Sequence, residues 1–230
     1  MKKRKILVSI VSILVIFGAI LIAISVKSNQ QLNNEKDIKK TVIGALKIHE
    51  MLIYPAEYTK SPDIQIPQEV IDKKLKEVTQ ACEKYFSSKS GWLANRLSVY
   101  QQAVLAEAHP PTDMRTVENK ITDVKFLEIK IEGDTATVVA DVYAEGKSIG
   151  LALDTDKIPA PELNEITNAK GYKMSPEEQK KFAEKTEKLP KKIREYKGKS
   201  ITRHYFNLAK ENGEWKITSE TFNFLPGYEP

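Results

Sequence analysis

The chain has 230 residues, with 36 Lys+Arg, 31 Asp+Glu, three His and one Cys, a formal net charge of +5 and a pI near 9.0. Lys2, Lys3, Arg4 and Lys5 stand together at the start; without them 32 basic residues face 31 acidic ones, a balance of +1 that gives no indication of nucleic-acid binding. Cys82 is the only cysteine, so no intramolecular disulfide can hold the fold.

Behind the basic cluster, Ile6 to Val26 runs for 21 residues without a charge. As a helix it would be roughly 31 Å long, about the thickness of a bilayer's hydrocarbon core. The positive-inside rule keeps the Lys/Arg cluster cytoplasmic. The expectation is a single-pass signal anchor with the rest of the chain extracytoplasmic. The alternative is a secreted protein cleaved near Ser25, where Ala23 and Ser25 form a small-x-small pair. With no Cys near the end of the run, a lipoprotein anchor is excluded. The expected organisation is a cytoplasmic tip and anchor over 1–27, a spacer over 28–35 and one extracytoplasmic domain over 36–230.

The spacer is polar (SNQQLNNE). From about Glu35 to Ile53 apolar residues recur at three- and four-residue steps: Ile38, Val42, Ala45, Leu46, His49, Leu52 and Ile53. Tyr54-Pro55 ends this helix and opens a proline-rich loop to Pro67. A second helix is expected over Gln68–Phe86, with Ile71, Leu75, Val78, Cys82 and Tyr85 on one face. A third is expected over Trp92–Ala108, stopped by His109-Pro110-Pro111.

The period then falls to 2. Ile121 to Ile131 reads as a strand with Leu127, Ile129 and Ile131 on one face. Gly133-Asp134 reads as a turn, and Thr135 to Tyr143 as the returning strand. Ser200–Lys210 and Trp215–Phe222 form a second hairpin across Asn212-Gly213. A two-residue turn there predicts the pairs Lys210–Trp215, Leu208–Ile217 and Phe206–Ser219. Residues 146–198 read as an insertion between the hairpins. Within it Ser175 to Leu189 carries helix-start signals: Ser175 as N-cap, Pro176 at the first position and Glu178 closing a capping box.

Three helices followed by a curved antiparallel sheet resembles the nuclear-transport-factor-2-like (cystatin-like) cone. The segment HYFNLAKENGEWKIT looks like the closing hairpin of such domains, and the tail FNFLPGYEP, with GDTATVV, is also similar to the membrane-proximal domain of methicillin-resistance-type penicillin-binding proteins. The resemblance covers about Thr116–Tyr143 and Lys199–Pro226. The chain has no Ser-x-x-Lys, Ser-x-Asn or Lys-Thr-Gly, so no transpeptidase chemistry carries over. What the resemblance implies is an α+β fold, three helices on a cone-like sheet, acting as a free-standing accessory domain on a membrane stalk.

Chemistry is sparse. His49, His109 and His204 are far apart in sequence and no paired Cys spacing exists, so neither a metal nor another cofactor is expected. His49 on its apolar stripe is more simply a core histidine; in the sharper reading it lines a cone cavity with Asp141, Tyr143 and His204 as an acid/base or ligand site. Cys82 reads as a buried, inert thiol. From Lys170 to Arg203, 12 basic residues face five acidic ones, a local +7. Its plainer reading is a solvated Lys/Glu surface. Its functional reading is contact with an anionic lipid, a wall polymer or an acidic partner through Lys188, Lys191, Lys192, Arg194, Lys197 and Lys199.

The expected function is therefore a non-catalytic, membrane-anchored, extracytoplasmic domain. It would act through an envelope protein partner in secretion, conjugation or wall-related assembly. The alternatives are ligand binding or catalysis in the cone cavity, and polyanion binding by the basic stretch.

Overall fold

The computed structural model describes residues 30–110, 114–168 and 174–228. A helical layer comes first. Helix α1 is formed from residue 30, the first described, to 46; α2 is Ile48–Met51, α3 Gln68–Tyr85 and α4 Trp92–Ala108. Strands β1 (Met114–Glu132), β2 (Thr135–Leu153), β3 (Lys191–Glu211) and β4 (Glu214–Phe224) follow. Between β2 and β3 lie a 3-10 turn (Thr155–Lys157), α5 (Ala160–Asn168) and α6 (Pro176–Glu187).

The helices follow the apolar stripes. Ile71, Val78 and Cys82 of α3, and Tyr100, Val104 and Ala108 of α4, are buried. On α1 the buried stripe is Ile38, Val42, Ala45 and Leu46. A turn at Lys47 then resets the helical phase. Ile48 goes inward and His49 outward, which corrects the placement of His49 on the core stripe. Gly44 lets α1 approach α3, because a Cβ there would overlap the Tyr85 ring.

The sheet is an antiparallel meander in the order β1-β2-β3-β4. It is open, with β1 and β4 at its edges, and neither closed nor curved as a cone. The cone-like expectation is corrected on that point, while helices on an antiparallel sheet remain. Alternate residues Ala136, Val138, Ala140 and Val142 of β2 face the helices, as do Phe206 and Leu208 of β3 and Trp215 and Ile217 of β4. One buried face and one solvated face are the usual arrangement of such a sheet.

The expected interruption at 146–198 is also corrected. β2 and β3 pair without a register shift from Thr135↔Ala209 to Leu153↔Lys191. The helical segment is only the tip of this hairpin, closed by Asp154 N donating to Pro190 O at 2.7 Å. The two strands have 19 and 21 residues, so β3 spans roughly 69 Å. The core covers one half of them, and residues 144–153 and 191–200 form an arm beyond it.

The single-pass anchor expected at 6–26 lies outside the described residues. Among the described residues no helix is long and apolar enough to cross a membrane. The membrane partner, the single-pass topology and the extracytoplasmic location drawn from that anchor are corrected accordingly: no described element supports them.

Candidate functional site

Two features stand out from the core, a buried ionic relay and an uncovered strand edge. The relay begins with a bulge. Asn212 and Gly213 both take positive φ, 52° and 85°, as a tight two-residue hairpin requires. Lys210↔Trp215 and Leu208↔Ile217 pair as predicted, but a register shift follows, so Phe206 faces Glu220 and Ser219 faces Asn207. One extra residue thereby turns Glu220, Phe222 and Phe224 onto the face shared by Phe206, His204 and Thr202.

Glu220 becomes a buried carboxylate held by charges. Its Oε2 accepts from Arg96 at 2.7 Å and its Oε1 lies 2.8 Å from His204 Nδ1. His204 Nε2 lies 2.9 Å from the Thr202 hydroxyl. The Arg96 guanidinium stacks over Trp92 at 4.7 Å, and the Phe222 ring stacks on His204 at 5.2 Å. Burial raises the Glu220 carboxyl, but the His204 hydrogen bond and the Arg96, His204 and His49 charges outweigh it and hold it below its ordinary value. His49 meets solvent along part of its ring while its Nε2 sits 3.2 Å from the Tyr100 hydroxyl. Partial desolvation lowers the His49 imidazole from its ordinary value.

Thr202, His204 and Glu220 have the spacing of a hydroxyl–imidazole–carboxylate triad. Their environment argues for a structural role. Thr202 and Glu220 are each only 9% exposed and His204 7%, and Phe222 covers the imidazole. A nucleophile needs access to its substrate, and this hydroxyl has little.

The four cavity candidates do not converge. His204 faces the helices, with His49 near the same relay. Asp141 and Tyr143 lie on the opposite face of the sheet, because β2 side chains alternate and Ala140 is the residue paired with His204. Asp141 is held by Arg203 in a two-pronged pair at 2.7 and 2.9 Å. Tyr143 accepts from Lys125 at 3.1 Å. Among the described residues no group of three or more His, Cys, Asp or Glu is placed to hold a metal ion.

Of the six basic candidates, Lys192, Lys197 and Lys199 form ion pairs. Lys192 reaches Asp154 at 2.9 Å and Asp156 at 2.6 Å; Lys199 reaches Glu145 at 2.8 Å, and Lys197 reaches Glu195 at 3.0 Å. Lys191, Lys192, Arg194, Lys197 and Lys199 all belong to β3, and Lys188 caps α6. Arg96 and Glu220 were not singled out from sequence. A Glu between strand residues normally points to water, and only the bulge reverses it.

The second feature is the edge of β3. Leu225 N donates to Ile201 O at 2.9 Å, so Ile201 turns its backbone groups towards β4. Backbone direction alternates along a regular strand, so Ile193, Glu195, Lys197 and Lys199 turn theirs the same way. β4 pairs with β3 only from Thr202 onward. Among the described residues no strand covers the edge from 192 to 200. The outer edges of the sheet are interrupted instead. On β1, Ile121 N is taken by Glu50 at 2.8 Å and Thr116 N by Glu107 at 3.2 Å, and three register shifts break the strand. On β4, Ile217 O accepts from Ser87 N at 2.9 Å.

No protein-family model matches the chain, and no curated protein matches it. The solved intermembrane-space region of the chloroplast protein ARC6 is similar at a TM-score of 0.32 and 10% identity, over 69% of this chain and 95% of that one. A likeness of that size carries no argument about function.

Proposed function

We propose that this chain is a non-catalytic assembly domain whose working surface is the uncovered edge of β3. The observation that carries the reading is that β3 extends eleven residues, 191 to 201, beyond the start of its pairing with β4 at Thr202, and that among the described residues no strand pairs with that side of it from 192 to 200. A row of unpaired backbone N–H and C=O groups is a template for another strand. The exposed side chains of Ile193 and Tyr196, at 50% and 44%, supply apolar area beside it. The helices and the buried relay serve to hold this long hairpin rigid at its base.

The test is a proline at Glu195. Its N–H points to the open edge, so proline there spares the β2–β3 ladder, whose bonds use the even-numbered residues of β3. In extracts of cells producing the full chain, the wild-type protein elutes above monomer mass and the Glu195→Pro variant elutes at it. A wild-type chain that elutes as a monomer, or a variant that stays in the larger species, overturns the reading.

A further inference from the structure

Resting on that reading, we infer that the strand occupying the β3 edge is β3 of a second copy of this chain, paired antiparallel about a two-fold axis at Tyr196. The argument is one of register. The open segment runs from 192 to 200, bounded by Pro190 on one side and by the Leu225–Ile201 hydrogen bond on the other. Its midpoint is Tyr196. A two-fold axis there sets each residue opposite a partner at an equal distance from 196.

That register is also the one the charges favour. It places Glu195 opposite Lys197 of the second copy and Lys197 opposite its Glu195. Ile193 then faces Lys199, Arg194 faces Gly198 and Lys192 faces Ser200. No like charges stand directly opposite. Sliding the axis one residue to Glu195 sets Glu195 against itself and Lys191 against Lys199. Sliding it to Lys197 sets Lys197 against itself. An axis at Arg194 sets Arg194 against itself and Lys191 against Lys197, and one at Gly198 sets Lys197 against Lys199. Opposed like charges on neighbouring strands are destabilising, and opposed unlike charges stabilise.

Backbone geometry agrees with this pairing. Ile193, Glu195, Lys197 and Lys199 all point to the edge, and the register matches them only with one another. The two Tyr196 rings meet at the axis, in the closer, non-hydrogen-bonded position, where aromatic pairs pack well. Gly146 and Gly198 pair beside it and place no side chain next to the ring on that side. Each copy's β4 ends where the other copy's β3 begins, so the four-stranded sheets join into one of eight. The interface is isologous, the arrangement that closes as a dimer and does not propagate as a fibre.

Sedimentation velocity on the purified full chain tests this. The wild type shifts from monomer to dimer with rising concentration. Glu195→Lys and Lys197→Glu each weaken that association at least tenfold, and the double variant Glu195→Lys/Lys197→Glu restores it. Arg194→Glu, which faces Gly198 in this register, serves as the control and leaves it within threefold. Failure of the double variant to rescue overturns the register. A purified wild type that is monomeric throughout, while extracts hold it in a larger species sensitive to Glu195→Pro, overturns self-pairing but leaves the edge as the working surface. A chain that is monomeric in both settings overturns both.

Discussion

Glu220 Oε1 lies 2.8 Å from His204 Nδ1, across two neighbouring strands, on the buried face of the sheet. The contact exists because the β3–β4 pairing shifts by one residue after Leu208↔Ile217. Arg96 from α4 completes it, so one carboxylate ties the helical layer to the end of β4.

Removing that carboxylate strands two partners. Glu220→Ala is expected to cost about 3–5 kcal/mol, the usual effect of leaving a buried charge unpaired. Replacing Arg96 and Glu220 together by Met and Leu costs less than either single change to Ala. Urea unfolding of the three variants measures both values.

The pH dependence has a definite sign. Glu220 has a folded-state value held below its ordinary 4.5. Its contribution is therefore full above pH 4.5 and is lost as pH falls through the lower, folded value. Wild type and Glu220→Gln should differ most in urea midpoint near neutral pH, and the gap should close on acidification below 4.5. A gap that widens in acid contradicts the assignment.

Gly44→Ala should destabilise the fold even though alanine favours a helix by ~1 kcal/mol over glycine. The added Cβ meets the Tyr85 ring. The expected net loss is roughly 1 kcal/mol. In a Tyr85→Leu background the same substitution should instead stabilise, which thermal unfolding of the four proteins would show.

Cys82 should be inert. It is fully buried, and burial pushes its thiol up to about 11. An aromatic disulfide reagent should label it only at the rate of unfolding, and fully in denaturant.

The Thr202–His204–Glu220 relay should perform no chemistry. An activated ester should be hydrolysed by the wild type and by His204→Gln at the same rate. Faster turnover by the wild type, with a sigmoidal pH profile, would make the relay a catalytic site.

The sequence made the helices legible to within a residue or two where stripes were uninterrupted, as in α3 and α4. Period and turn chemistry located the hairpin at Asn212-Gly213 and the Ser175–Glu178 capping box, which forms with Ser175 N donating to Glu178 at 2.7 Å. What stayed hidden were changes of phase. Three register shifts in β1 send Phe126 and Ile129 towards the core and leave Leu127, at the bulge, 52% exposed. The turn at Lys47 does the same to His49, and the β4 bulge does it in reverse to Glu220. The arm at 144–153 and 191–200 was misread as an insertion. Its mostly solvated side chains show little alternation, although its backbone pairing is continuous.

The most direct measurement is photo-crosslinking from a probe replacing Tyr196 in cells producing the full chain, with a probe replacing Glu128 on β1 as the control. The account predicts a discrete protein adduct from position 196, at twice the chain's mass, joined through residues 192–200 of the second copy, and none from position 128. Equal labelling from both positions, or none from position 196, would contradict the β3 edge as the surface through which this domain works.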